Sequence, residues 1–452
     1  MTTLNDDQVA ALNAVKTGRN IFLTGAGGTG KSHTIRAIVA WAKATGVRYD
    51  VTAMTGCAAL LLGLKAKTLH SWAGIGLGRE SPASLAESIK RSRKTQRRWM
   101  DCQLLIIDEI SMMTPELLEK LDFIARRVRR RPDAKFGGIQ LLLAGDFCQL
   151  PPVQKPSATG GGGDAPATPT PLFAFESASW ATLIDATHHL TKIERQPDPV
   201  FQAILTEARM GALSEASIAI LQGRKGLPWA TDQIRPTLIF SRNADVAAIN
   251  AANMDALDGE SVIFKAATIH GSTGSSAGAG ASAIDAELET QLNRLDLDAP
   301  YEPILELKIG AQVMLLTNLD QEMGLVNGSR GVILHFTSTG LPVVRFLSVS
   351  EPVTIDRATW MLPDNDQIGR AQIPLKVAYA ITIHKSQGAT LDCALIDIGS
   401  NTFEYGQAYV ALSRVRSLEG LHIWSLNPFK VRCHPAVSAF YREATAEAVA
   451  SS

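Results

Sequence analysis

The sequence is short of cysteine, of charge and of long apolar runs, and each shortage argues against a class of protein. Five cysteines (Cys57, Cys102, Cys148, Cys393, Cys433) occur in 452 residues, an odd number with no Cys-x-x-Cys pair. That pattern argues against a disulfide scaffold and a zinc-ribbon site, and reduced, mostly buried thiols are expected. No stretch approaches the roughly 18 consecutive apolar residues of a membrane span. Met1–Ala10 (MTTLNDDQVA) has no basic segment followed by an apolar one, so no secretory leader is read there. An intracellular protein with no membrane association is expected. Charge of one sign is also missing, with 44 Lys+Arg against 44 Asp+Glu, whereas nucleic-acid-binding domains usually carry a basic excess.

The chain does hold 46% hydrophobic and only 19% charged residues, which excludes wholesale disorder. Its length suits about three domains or lobes. The zero net charge conceals an asymmetry: residues 1–155 carry 23 basic and 13 acidic side chains, and residues 156–452 carry 21 and 31. Electrostatic attraction acts over a Debye length of about 8–10 Å, so the local excess counts for more than the sum. A nucleic-acid partner is therefore not excluded.

Asn20–Thr24 (NIFLT) is a short apolar run leading into a glycine-rich turn and a helical pattern over Ser32–Ala44. Gln103–Ile107 and Ile139–Leu143 are further apolar runs, each with acidic residues following, as expected of a parallel sheet covered on both faces. Thr237–Ser241, Val313–Leu316 and Ala394–Ile398 suggest a second α/β core. Asn327-Gly328 followed by Gly331–Phe336 and Leu341–Phe346 reads as turn-linked short strands, consistent with a small β-barrel insert. The Gly/Pro/Ser-rich segments 154–171 and 271–282 read as flexible loops.

Gly25–Ser32 reads GAGGTGKS, the G-x-x-x-x-G-K-[ST] phosphate loop between a strand and a helix. Backbone N–H groups from Gly25, Ala26, Gly27, Gly28, Thr29 and Gly30 would close around phosphate oxygens, Lys31 would reach the β/γ-phosphates, and Ser32 would ligate Mg²⁺. Asp108-Glu109 follows an apolar strand, where a carboxylate enters the ligand crevice of an open α/β sheet. Asp108 is expected to hold Mg²⁺ and Glu109 to orient or deprotonate the attacking water. Transition-state charge on a γ-phosphate calls for an arginine, and Arg195 and Arg414 are candidates, although on the residues alone the ordinary surface arginine is the favoured reading of each.

Beyond these elements, the motif series resembles the Pif-like DNA helicases, in the 5′-to-3′ branch of helicase superfamily 1, related to the RecD helicases. LNDDQ with Gln8 is similar to the family's adenine-reading motif; TAMTGCAALLL and TLHSWAGIG, LLIIDEISMM, LLLAGDFCQLPPV, LTKIERQPDPVFQAIL, PLKVAYAITIHKSQGATLD and AYVALSRVRS follow in family order. Glu194 stands where the family usually has an aromatic before the arginine. The chain ends soon after the last motif and looks like a helicase core without large accessory domains.

The resemblance implies an α/β fold of two RecA-like P-loop NTPase lobes with parallel sheets, plus small inserted subdomains. The first lobe is expected over 1–190, with a basic insert at about 77–101. The second is expected over 191–435, with the small β-barrel at about 318–372, and 436–452 is expected to be a tail. The implied activity is ATP- and Mg²⁺-dependent 5′-to-3′ DNA unwinding in repair, recombination, replication or telomere maintenance. Lys31, Glu109, Gln149 as γ-phosphate sensor, and Arg195 and Arg414 as arginine fingers from the second lobe would be catalytic; Gln387 and Gly388 join the nucleotide-binding set. Single-stranded DNA and single-strand/duplex junctions would be gripped by Thr55, His70 and Trp72 in the first lobe and His384, Lys385 and Ser386 in the second. Trp72 reads equally as core and His70 as a buried imidazole. Lys90–Arg98 has six basic residues in nine and is favoured over Arg126–Arg131 as a DNA-contacting cluster. A monomer with partners from replication or recombination is expected, cytoplasmic and nucleoid-associated in a bacterium, nuclear or mitochondrial in a eukaryote. Two other readings are a translocase or remodelling motor that does not unwind alone, and a nucleotide-dependent switch with no nucleic-acid role.

Overall fold

The computed structural model describes residues 4–76, 78–152, 172–229, 234–270, 286–320, 322–362 and 365–451. The expected loops 154–171 and 271–282 lie outside them. Two compact units are present: Met1–Leu213 with Glu404–Val410 and Val431–Ser452, and Ser214–Phe403 with Ala411–Lys430.

The first unit opens on helix α1 (Asp6–Lys16), where Asn5 and Gln8 form a reciprocal capping box and Asp6 and Asp7 complement the helix dipole. Strand β1 (Ile21–Gly25) leads into α2 (Lys31–Thr45); β2 (Tyr49–Ala53), β3 (Lys67–Thr68), β4 (Leu104–Asp108), β5 (Gln140–Gly145) and β6 (Ala186–Leu190) follow. They form one parallel sheet in the order β3-β2-β4-β5-β1-β6. The apolar runs in β1 and β4 are buried along their whole length, as a sheet covered on both faces requires.

The period of two along β1 sorts its residues between two cores. Ile21 and Leu23 join Ile35, Ile38, Leu104, Ile106 and Leu142 in one cluster. Phe22 enters an aromatic cluster, 5.2 Å from Phe147 and 6.1 Å from Phe440. Phe440 belongs to the helix Pro435–Ser451, so the segment expected as a tail is a helix of the first unit. Its apolar residues give the physical reason: Val437 is fully buried and Phe440 stacks 4.4 Å from Phe175.

The second unit contains a four-stranded parallel sheet in the order Ala380–Thr382, Thr237–Phe240, Ala394–Ile398, Leu421–Leu426. The run Val313–Leu316, expected in the second α/β core, falls largely on the strand Gln312–Leu315, which instead pairs antiparallel with Arg330–Phe336 and Leu375–Val377. All four of its residues, the polar Gln312 included, are buried, and a short run buried on both faces occurs in either kind of sheet. The antiparallel part comprises a five-stranded sheet between Gln312 and Val377, a three-stranded sheet and a two-stranded ribbon, each with linear strand order. It extends beyond the expected 318–372, around a core that includes Leu305, Val313, Ile333, Val344 and Leu375. The unit boundary falls after Leu213 rather than at 190/191, because Arg209 on the helix Pro199–Met210 is anchored to the carboxylate that follows β5.

Candidate active site

Strands β4, β5 and β1 are neighbours, so their carboxyl ends set Asp108-Glu109, Asp146 and the phosphate loop side by side. Gly28 and Gly30 have φ near +90°, and crowding excludes a Cβ at either one. At Gly28 it would lie 2.6 Å from the Arg195 Cβ, and at Gly30 2.6 Å from the Gln8 Nε2. The first amides of α2 have no intrahelical acceptor and form, with the helix dipole, an anion site. Lys31 Nζ donates to the carbonyls of Gly25 (2.7 Å) and Ala26 (3.1 Å). Burial pushes its pKa down, while Asp146, Glu109 and Asp108 pull it back up.

Asp108 is 8% exposed, and burial raises its pKa against the opposing effects of the Glu109 N–H and Lys31. The Glu109 N–H donates to Asp108 Oδ1 at 2.9 Å, and Glu109 itself is left-handed at φ 57°. Ser32 is exposed at the start of α2. Among the described residues no group of three or more His, Cys, Asp or Glu could hold a metal. A hydroxyl and one carboxylate beside a phosphate site fit Mg²⁺, which binds through few protein ligands and retains water and phosphate oxygens.

Asp146 is fully buried and is the main residue that sequence reasoning missed. Arg209 donates to both of its oxygens, from Nη2 at 2.9 Å and Nε at 3.1–3.2 Å. The Tyr409 hydroxyl donates to Asp146 Oδ2 at 3.2 Å and accepts from the Gly27 N–H at 2.7 Å. The Tyr441 hydroxyl lies 3.3 Å from Asp146 Oδ1 and 2.7 Å from Thr24 Oγ1. Burial alone would raise the Asp146 pKa, but Arg209 holds it below the usual carboxylate range. One carboxylate thus ties the phosphate loop to two segments from near the end of the chain. The available signal was its place in GDFCQLPPV, two residues after a buried strand's last apolar position.

Gln149 is 7% exposed, and its N–H donates to the Asp146 carbonyl at 2.9 Å. Gln8, 3% exposed, accepts from the Asn5 N–H and donates to the Thr29 carbonyl at 3.4 Å. Arg195, expected from the second lobe, belongs to the first unit. Its N–H and that of Glu194 both donate to the Gly28 carbonyl, which fixes this segment on the phosphate loop. Glu194 pairs with Lys192 at 2.9 Å. Arg414 lies in the second unit, 3% exposed, and donates to Ser413 Oγ at 2.6 Å. Gln387 and Gly388 are in the second unit too, Gly388 with φ 77°.

The expected DNA contacts divide. Trp72 is fully buried, 4.6 Å from Trp99 between ring centroids, and presents no face for base stacking. Ser386 is fully buried and donates to the Ile383 carbonyl at 2.7 Å. In this structure both side chains are taken up by contacts within the protein, which favours a structural role for them. Thr55 is half-buried and caps the helix Gly56–Leu62, His70 is half-buried, and His384 and Lys385 are exposed. Lys90–Arg98 covers parts of the helices Pro82–Arg91 and Arg93–Asp101. Arg98 supports the carbonyls of Ser71 and Trp72, and Lys90 pairs with Glu87, while Arg91 and Arg93 stay exposed. In the second cluster, Arg129 donates to four carbonyls, those of Trp99, Met100, Cys102 and Gly137. No helix among the described residues is long and apolar enough to cross a membrane.

A parallel sheet with a phosphate loop after one strand and acidic residues after its neighbours defines a P-loop NTPase. The family model described as PIF1-like helicase matches residues 3–204, and that of the DNA helicase Pif1 2B domain matches residues 291–336. Human ATP-dependent DNA helicase PIF1 is 40% identical over 97% of this chain and 63% of its own length. The crystal structure of Pif1 helicase from Candida albicans matches at TM-score 0.75 and 32% identity, over 98% of this chain and all of that one. Bacteroides Pif1 matches at TM-score 0.79 and 29% identity in complex with ADP-AlF4, and at 0.65 and 28% with ADP-AlF3 and ssDNA; each covers 99% of this chain and 98% of that one. The chain belongs to the PIF1-like helicase family. It spans about three fifths of the length of the curated relatives it matches.

Proposed function

We propose that the chain is an ATP-dependent DNA helicase that moves 5′ to 3′ on single-stranded DNA and unwinds duplex or structured DNA. The observation that carries this reading is the phosphate loop beside Asp108-Glu109 within a chain of this family. Named relatives are ATP-dependent DNA helicases, and a Bacteroides relative is described in complex with ADP-AlF3 and ssDNA.

Mg²⁺ bound with the nucleotide supplies charge neutralisation on the phosphates. Ser32 and Asp108 would hold it, and the amides at the start of α2, with Lys31, would hold the phosphates. Glu109 orients the attacking water and accepts its proton, while Gln149 reports the γ-phosphate. Arg195 and Arg414 offset charge that develops in the transition state. Arg195 sits against Gly28 of the phosphate loop within the first unit, which supports its reading as a finger supplied by that unit. His384, Lys385, Thr55 and His70 remain the proposed DNA contacts, with the exposed arginines of Lys90–Arg98 beside them. We further propose that the protein works as a monomer on single-strand/duplex junctions in genome maintenance.

A tailed-duplex assay tests the function. Strand separation with a 5′ single-stranded tail and none with a 3′ tail is expected. Translocation without separation favours the remodelling motor, and ATP hydrolysis unaffected by single-stranded DNA favours the switch.

A further inference from the structure

Cys148 and Cys433 are 285 positions apart, yet their sulfurs lie 3.9 Å from each other. Cys148 is 2% exposed and sits between Phe147 and Gln149. Cys433 is half-buried, just before the helix Pro435–Ser451. A close approach pins its backbone: a Cβ on Gly211 would come within 2.4 Å of the Cys433 nitrogen. Both residues belong to the first unit. We propose that Cys148 and Cys433 are a redox modification site that forms a reversible disulfide on exposure to hydrogen peroxide, and that this bond slows ATP turnover.

A disulfide needs the sulfurs at about 2.05 Å, so the gap closes by about 2 Å, within reach of side-chain rotation. The two thiols are unequal. The neighbouring Cys148 thiol, with Ser438, holds Cys433 at about 7 against the upward push of burial. Burial raises the thiols of Cys148, Cys102 and Cys393. Cys433 is therefore the first nucleophile, since the thiolate is the reactive form. Its sulfur attacks one peroxide oxygen, the O–O bond breaks, and hydroxide leaves, giving a sulfenic acid. The Cys148 sulfur then attacks the Cys433 sulfur, the S–O bond breaks, and the departing hydroxide takes the Cys148 proton as water. Two thiols and one peroxide become one disulfide and two waters, with both electrons coming from sulfur.

The functional consequence follows from what flanks Cys148. Its N–H donates to Asp146 Oδ1 at 3.2 Å, and the next N–H, from Gln149, donates to the Asp146 carbonyl. A bond that draws Cys148 toward Cys433 shifts the segment that presents Asp146 and Gln149 to the nucleotide site.

The test treats the reduced full chain with hydrogen peroxide, blocks remaining thiols with N-ethylmaleimide and maps peptides without reduction. A linked Cys148–Cys433 peptide that dithiothreitol removes is expected. An at least fivefold fall in ATP turnover, reversed by dithiothreitol and absent in Cys433→Ser, is expected alongside it. Cys433→Ala serves as a second variant should the serine disturb folding. Absence of the linked peptide overturns the proposal. A linked peptide with unchanged turnover overturns its regulatory half, and equal losses in both variants place the damage at another residue. The peptide map does not depend on the helicase reading, so failure of the crosslink and failure of that reading are distinguishable.

Discussion

At the scale of single residues, two aspartates at neighbouring strand ends beside the phosphate loop have their pKa values pushed in opposite directions. Burial raises the Asp108 pKa, whereas Arg209 depresses that of Asp146. A carboxylate with a raised folded pKa costs stability once ionised, so Asp108→Asn should raise the unfolding midpoint while cutting Mg²⁺-dependent turnover at least tenfold. Thermal unfolding and steady-state hydrolysis of the one variant check both halves. Asp146 contributes stability above its unfolded pKa of about 3.9, and that stability is lost as pH falls through the lower folded value. Asp146→Asn leaves the Arg209 guanidinium, 9% exposed, without its counter-charge. A loss of about 3–5 kcal/mol in denaturant unfolding at pH 7 is expected, shrinking toward pH 3.

At the scale of elements, Trp72 and Trp99 show why an aromatic in a DNA-facing motif is ambiguous. Both are fully buried, and the Trp99 Nε1 donates to the Ala73 carbonyl at 3.0 Å. Trp72→Ala should cost about 3–5 kcal/mol of stability. Single-stranded DNA affinity of the folded fraction, read by fluorescence anisotropy, should change less than threefold. Much of the site was legible in the sequence because spacing alone fixes it: GAGGTGKS after a strand, then Asp108-Glu109 after another. Asp146 was not, since its role comes from Arg209, Tyr409 and Tyr441, whose sequence distances are 63, 263 and 295 residues. The helix Pro435–Ser451 was misread as a tail for the same reason: its apolar residues find their partners only across the fold. Strand Gln312–Leu315 was misplaced because a short run buried on both faces carries no mark of parallel or antiparallel pairing.

At the scale of the whole molecule, the positive excess of residues 1–155 falls in the first unit, and the second unit carries Arg414. The role proposed for that arginine is in turnover rather than in nucleotide capture, for which the phosphate loop offers the donors. Arg414→Ala should lower kcat by at least a hundredfold and change ATP affinity less than threefold, as single-turnover hydrolysis and nucleotide titration would show. Survival of turnover would remove the residue from the mechanism.

The discontinuous first unit also bears on biosynthesis. Phe22 and Phe147 rest against Phe440, and Thr24 and Asp146 meet Tyr441. A nascent chain paused between residues 190 and 435 has made the six strands of this sheet but not the helix that closes its aromatic face. The whole second unit must be translated before that helix leaves the ribosome, so for most of its synthesis the nucleotide-binding half exposes an apolar surface suited to chaperone capture.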